Sequence, residues 1–210
     1  MPPEPQLKRT VAFFDGQNLF HAAREAFGYT YPNYEPATLA NTVCSNAGWK
    51  LSQVRFYTGI PDPGVDPFWH GFWVRKLAVL GTRGVWTFSR LLHYRNERLI
   101  LPDGSETTVP VGREKGVDVR LALDVVRLAR AGELDVALLF SQDQDLSEVA
   151  DEVRAISRSE DRWIKTACAF PVSPTAQNRR GINGAEWLRM DKGLYDDCLD
   201  LADYRKQARR

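Results

Sequence analysis

Two strand-length apolar runs, each ending in an acid, constrain this chain more than any other feature. Thr10-Val-Ala-Phe-Phe-Asp15-Gly-Gln-Asn18 passes from an apolar run into a carboxylate, a glycine and an amide, and Val136-Ala-Leu-Leu-Phe-Ser141-Gln-Asp143-Gln-Asp145 repeats the design. Each run is short and stops in turn chemistry, which reads as a buried strand. Strands are also expected at Gln53–Thr58, Gly84–Phe88 and Trp163–Phe170. Helices are expected over Asn18–Phe27, Pro36–Ala47, Asp66–Leu80, Lys115–Arg130 and Asp145–Ser159; Phe68, Phe72, Trp73, Leu77 and Leu80 share one face of the third. At that spacing Trp69, Phe72 and Trp73 read as core rather than as a platform for bases. Strands alternating with helices predict an α/β fold, a mostly parallel five-stranded sheet with helices on both faces.

Two segments depart from that rhythm. Residues 98–109 read as an inserted β-hairpin with Asp103-Gly104 at its tip. From Pro171 the chain turns polar and irregular, with a short helix expected around Leu194–Leu201. The organisation expected is a tail over residues 1–9, one domain over 10–170, and an extension over 171–210 packing on it. At 210 residues and 43% hydrophobic, one domain suffices. No apolar stretch approaches the roughly 20 residues that span a bilayer, and Met1-Pro-Pro-Glu-Pro lacks a signal-peptide core, so a cytoplasmic protein is expected. Helices rich in aromatics at the sheet edge could support a homodimer.

Cys44, Cys168 and Cys198 stand apart with no paired spacing, as do His21, His70 and His93, so neither a disulfide framework nor a thiolate or histidine-rich metal site is indicated. Any metal should be hard and oxygen-bound. The net charge of +1 hides local contrast, because basic residues gather at Arg90, His93, Arg95, Arg98, Arg113 and Lys115, at Arg179-Arg180, and in the tail Arg205–Arg210.

In an open α/β sheet, ligands sit beyond the carboxyl ends of the strands. Asp15, Asp143 and Asp145 fall there, and Asp118 opens the helix after Glu114-Lys115-Gly116-Val117. Asn18 follows Asp15 across the turn, and Ser141 alternates with Asp143 and Asp145 at period two. Most also have a plainer reading. Asp15 is placed to cap a helix, Asn18 to satisfy a loop amide and Asp118 to meet a helix dipole, and Asp145-Leu-Ser-Glu148 resembles a capping box; Asp143 has no such explanation. Asp124 faces elsewhere on its helix and is left out. No dinucleotide or phosphate-loop fingerprint is present. Two carboxylates about 5 Å apart repel by roughly 3 kcal/mol at an effective dielectric near 20, so converging acids call for a cation. Oxygen ligation suits Mg²⁺ or Mn²⁺.

Phe14-Asp15-Gly-Gln-Asn18, Glu114-Lys115-Gly-Val-Asp118 and Phe140-Ser141-Gln-Asp143-Gln-Asp145, in this order, resemble the signature segments of the NYN domain family, in its DUF88 or LabA-like branch of the PIN-like nucleases. The resemblance spans roughly residues 10 to 170, and Asn178-Arg-Arg-Gly-Ile-Asn183 through Tyr204 looks like the tail of one bacterial subgroup. It implies a PIN-like fold and Mg²⁺- or Mn²⁺-dependent endonucleolytic hydrolysis of single-stranded RNA, leaving a 5′-phosphate and a 3′-hydroxyl. Carried over, Asp15, Asp118, Asp143 and Asp145 would hold the metal. Asn18 and Ser141 would orient water, phosphate or a carboxylate, and Lys115 would stabilise phosphate charge. Arg95, Arg113, Arg179 and Arg180 are further candidates for holding the polyanion. The competing expectation is a non-catalytic RNA-binding or partner-binding regulator of the same fold. A phosphatase with a carboxylate nucleophile ranks last, because Asp15-Gly-Gln lacks the second acid two residues on.

Overall fold

The computed structural model describes residues 2–206. Eight strands and six helices follow one another: β1 (Arg9–Asp15), α1 (Gly16–Phe27), α2 (Pro36–Asn46), β2 (Lys50–Ile60), α3 (Pro67–Thr82), β3 (Trp86–Leu91), β4 (His93–Ile100), β5 (Glu106–Arg113), α4 (Val117–Arg130), β6 (Val136–Phe140), α5 (Ser147–Ser159), β7 (Lys165–Pro171), β8 (Glu186–Met190) and α6 (Lys192–Asp196). Six strands form one sheet in the order β3-β2-β1-β6-β7-β8, and every neighbouring pair is parallel. β4 and β5 pair only with each other, antiparallel.

The period-two alternation of the central strands divides the core into two layers. Ala12 and Phe14 of β1, Phe56 of β2 and Leu138 and Phe140 of β6 face α1, α2 and α3. Phe14 and Phe140 stack with ring centroids 4.0 Å apart, a cross-strand pair that locks β1 to β6. Val11 and Phe13 of β1 and Ala137 and Leu139 of β6 face α4 and α5 instead. Phe72 and Trp73 are buried in the first layer as expected, and Trp69 packs partly buried against it.

The sheet has six strands where five were expected. The sixth, β8, comes from the segment read as irregular: its exposed Glu186 and Arg189 hide the strand pattern, and only Met190 is buried. The helix expected over Leu194–Leu201 is instead the shorter α6, fixed at its start by Asp191, whose side chain accepts from the Leu194 amide. The C-terminal segment also supplies Tyr195, Cys198 and Tyr204 to the first core layer. Of the basic tail, residues 207–210 lie outside the described residues. No described helix is long and apolar enough to cross a membrane.

The strand order reverses between β1 and β6: the chain steps outward from β1 to β3 on one side, then from β6 to β8 on the other. Where the order reverses, the connections leave β1 and β6 for opposite faces and open a crevice at their carboxyl ends. Asp15 ends β1, and Ser141 follows the last residue of β6.

Candidate active site

Asp15 caps α1 while remaining the last residue of β1; its Oδ1 accepts from the Asn18 amide at 3.1 Å. Its Oδ2 accepts from the Ser141 hydroxyl, also at 3.1 Å. That hydroxyl oxygen accepts from the Asp143 amide at 3.1 Å, and Asn18 Oδ1 accepts from the Gln142 amide at 2.8 Å. Capping and loop satisfaction, the plain readings of Asp15 and Asn18, are therefore both realised, and together they lace the end of β1 to the end of β6. Gly16 makes the turn possible, since a Cβ there would lie 2.7 Å from the Phe56 ring.

The capping expectation for the last two acids is corrected. Asp143, not Asp145, is the cap: its Oδ1 accepts from the Asp145 amide at 3.0 Å and opens a 3-10 turn over Gln144–Leu146. α5 then begins at Ser147 without a side-chain cap, because the 3-10 turn already supplies its entry.

Burial raises the Asp15 carboxyl to about 6; the Asn18 amide and the Ser141 hydroxyl offset part of this, and the charges of Asp143 and Asp118 add to it. The carboxyl that sequence reasoning missed is Glu114. Burial is the largest cause lifting it to about 7, followed by the charge of Asp15, while the Gly59 amide, donating to Oε2 at 2.5 Å, works against the rise and Asp118 adds to it. Asp15, Asp118, Asp143 and Glu114 thus share one electrostatic field. Glu114 stood in the sequence beside Lys115 and Asp118, but its burial depends on Gly59, distant in the chain. Asp118 lies exposed in the first turn of α4, after Gly116 at φ 73°. Asp145 is exposed, and among the described residues its carboxylate makes no hydrogen bond or ion pair.

Gln142 and Gln144 were also missed. The Gln142 amide side chain donates to the carbonyl of Arg180 at 2.9 Å, and that of Gln144 to the carbonyl of Gly181 at 3.0 Å. These bonds fix the loop carrying Arg179 and Arg180 beside the Ser141-Asp143 segment. Arg179 itself donates to the carbonyls of Ala176 and Pro174. Arg113 is paired with Glu97 at 2.6 Å, whereas Arg95 and Lys115 are exposed. Asp124, left out of the site, is a buried anchor that accepts from Tyr57 at 2.8 Å and Arg120 at 3.2 Å.

Among the described residues, no three acid, histidine or cysteine side chains already converge as a ligand set for a metal ion. The chemistry of the donors nevertheless fits a hard divalent cation, since carboxylates that raise one another's proton affinity are those a cation relieves. Without such an ion, these groups make stability fall with rising pH. An acid whose folded pKa lies above its unfolded value binds more protons in the folded state, so stability declines between the two values. For Glu114 the window runs from 4.5 to about 7. In chelator, Glu114→Gln is therefore expected to flatten the decline over that window in denaturant melts; an unchanged pH profile would show that Glu114 does not titrate there.

A family model of the NYN domain matches residues 9–160. No curated protein matches the chain in sequence. Among solved structures, the chain is similar to VPA0982 of Vibrio parahaemolyticus, a protein of unknown function, with TM-score 0.53 and 16% identity over 90% of this chain and 97% of that one. MurG of Acinetobacter baumannii aligns with TM-score 0.34 and 8% identity, over 87% of this chain and 45% of MurG. The first likeness supports the architecture, a mostly parallel α/β sheet. With the family model spanning β1 through α5 and all three acidic segments, the chain belongs to the NYN domain family.

Proposed function

We propose that this protein is a divalent-metal-dependent endoribonuclease acting on single-stranded RNA, with Asp15, Asp118, Asp143 and Asp145 as ligands for Mg²⁺ or Mn²⁺. NYN domains are a PIN-like nuclease family, and the observation that carries the reading for this chain is Asp15. It is a buried carboxyl lifted to about 6, tied to Ser141 and facing the charges of Asp143 and Asp118 at the sheet's switch point. A fold with no use for that repulsion would be more stable with one acid fewer.

Bound among these acids, the ion would supply positive charge to polarise a phosphodiester and activate water for in-line attack. The chain's own residues do the positioning. Ser141 and the Asn18 amide fix both oxygens of Asp15, so its carboxylate cannot rotate away. Asn18 Oδ1 holds the Gln142 amide, which sets the direction of Asp143. Lys115, exposed beside Glu114, offers a point charge to a phosphate oxygen. Glu114, lifted to about 7, is suited to hold or pass a proton near neutral pH.

A second reading, an RNA-binding regulator without catalysis, draws on the absence of a convergent ligand triplet among the described residues. End-labelled single-stranded RNA incubated with Mg²⁺, Mn²⁺ or chelator decides between them. The nuclease reading expects ion-dependent cleavage by the wild type and none by Asp143→Asn purified identically. Equal cleavage by both would overturn it, and salt-sensitive binding without cleavage under either ion would favour the regulator.

A further inference from the structure

The hairpin does not hang free of the acidic centre. Its root continues β3, because the Leu92 amide donates to the carbonyl of Ile60 at 2.9 Å. A Cβ on Gly59 would meet Leu92 Cδ2 at 2.5 Å and Glu114 Oε2 at 2.8 Å, and a Cβ on Gly112 would meet Leu92 and Tyr94, both at 3.0 Å. Two glycines thus let the hairpin root close onto the carboxyl end of β2, beside the Glu114 carboxyl. Against this root lies a cavity of about 260 Å³ lined by His93, Tyr94, Arg95, Arg113, Glu114 and Lys115. Four of these six carry a basic group.

Their charges are not consumed by the fold. Arg113 is paired with Glu97, but among the described residues Arg95, His93 and Lys115 have no carboxylate partner. Arg90 extends the same surface. It is exposed, its guanidinium lies over the Phe88 ring, and its Nη1 comes within 2.8 Å of where a Gly116 Cβ would stand. Cations held beside an acidic centre, rather than paired with it, fit a ligand carrying several negative charges along its length. A single phosphate-bearing small molecule would be served by fewer, and the cavity falls below the ~300–1,000 Å³ of typical small-molecule sites.

We infer that the hairpin root and the start of α4 form a phosphate-binding subsite for the RNA backbone flanking the scissile bond, with Arg95 and Lys115 as its principal contacts and His93 and Arg90 extending it. RNA as the ligand rests on the function proposed above. His93 and Arg95, two residues apart on β4, share one face of the hairpin, whose strands span roughly 27 Å at the usual rise per residue. Contacts of this kind position a strand without reading its sequence.

The test is fluorescence anisotropy of a labelled single-stranded oligoribonucleotide titrated with protein over a series of NaCl concentrations, all in the Asp143→Asn background to prevent cleavage. Arg95→Ala/Lys115→Ala is compared with its parent and with Arg154→Ala/Arg158→Ala, which removes the same charge from α5. Each phosphate contact to a single strand contributes about 0.7 to the slope of log K against log salt. The hairpin pair is therefore expected to lose about 1.4 in slope and about tenfold in affinity, while the α5 pair keeps the parental slope. Equal slopes in all three proteins would overturn the subsite, as would an affinity loss with unchanged slope or no measurable binding by the parent. A melting curve for each variant excludes loss of fold. Cleavage by the wild type is scored separately: a slope change with no wild-type cleavage would leave the subsite standing and remove the nuclease, and cleavage with equal slopes would do the reverse.

Discussion

Asp15→Asn is expected to lower ion-dependent RNA cleavage by on the order of 10³-fold while making the ion-free protein more stable. The substitution preserves shape. Asn remains a good helix cap, so the bond from the Asn18 amide survives, and its new NH₂ group can donate to the Ser141 hydroxyl, which still has lone-pair capacity. What disappears is a charge that the fold disfavours. The Asp15 carboxyl is lifted from 3.8 to about 6, chiefly by burial. Between those values the folded state binds more protons than the unfolded one, so wild-type stability falls as pH rises through this window and stays lower above it. The cost of holding the carboxylate at neutral pH is about 3 kcal/mol at most, taking 1.36 kcal/mol per pH unit. The variant should therefore unfold at higher denaturant than wild type at pH 7.5 in chelator, and the difference should vanish below about pH 4. Loss of activity with gain of stability separates a ligand from a structural acid. A variant that loses both would show the Asp15 carboxylate to be a structural acid, and one that keeps ion-dependent cleavage would remove it from the catalytic centre.

The chain disclosed its central strands and its acids because both are local signals. β1 and β6 are buried on both faces and read as unbroken apolar runs, and each acid follows such a run or opens a helix. Edge elements were less legible. β8 spans only five positions, Glu-Trp-Leu-Arg-Met, with no period-two pattern, and nothing within it says that β7 will offer an edge. The hairpin was expected to end at Val109, before Pro110, yet β5 continues to Arg113 with Pro110 opposite Asn96. Proline is tolerated there because each strand of a two-stranded sheet has a free edge where a missing N–H breaks no ladder bond. In the site, Glu114 and the paired staples Gln142 and Gln144 were missed for one reason: their partners, Gly59, Arg180 and Gly181, are brought to them only by the folded chain. The capping roles of Asp143 and Asp145 were exchanged because a 3-10 turn and an α-helix start look alike in sequence.

Lys76 was hidden in the same way, and its removal should have the largest effect on stability. It lies on the inner face of α3 with no exposed surface, and its Nζ donates to the carbonyl of Tyr34 at 2.9 Å and pairs with Asp200 at 3.6 Å. The rings of Tyr34 and Tyr204 flank it at 5.4 and 5.2 Å. Asp200 also faces Arg83 at 3.6 Å and accepts from the Tyr204 hydroxyl at 2.9 Å, so one buried cation joins α3 to the C-terminal segment. Lys76→Ala leaves a cavity and an orphaned carbonyl, and weakens the compensation of a buried carboxylate; an expected cost of about 3–5 kcal/mol follows from breaking such a pair. Lys76→Met fills the space of the stem, so it spares the cavity but orphans the same carbonyl; Asp200 keeps Arg83 and Tyr204, and a smaller cost of about 2–3 kcal/mol is expected. The pH dependence tells the two effects apart. Burial, the largest cause, lowers Lys76 from 10.5 to about 8 despite the nearby charges of Asp200 and Glu35. Between those values the unfolded chain binds more protons than the folded one, so wild-type stability should rise with pH from about 8. The rise should be cut short near pH 9, where the buried thiols Cys44 and Cys168, lifted from 9.0 to about 11, begin to work against folding. They are joined near pH 10 by tyrosines that ionise later in the folded state, Tyr204 at about 12 among them. Lys76→Met should show no rise over that interval. If wild type and Lys76→Met share one pH profile, or if Lys76→Ala melts within about 1 kcal/mol of wild type, the C-terminal segment is held by its aromatic packing and not by this cation.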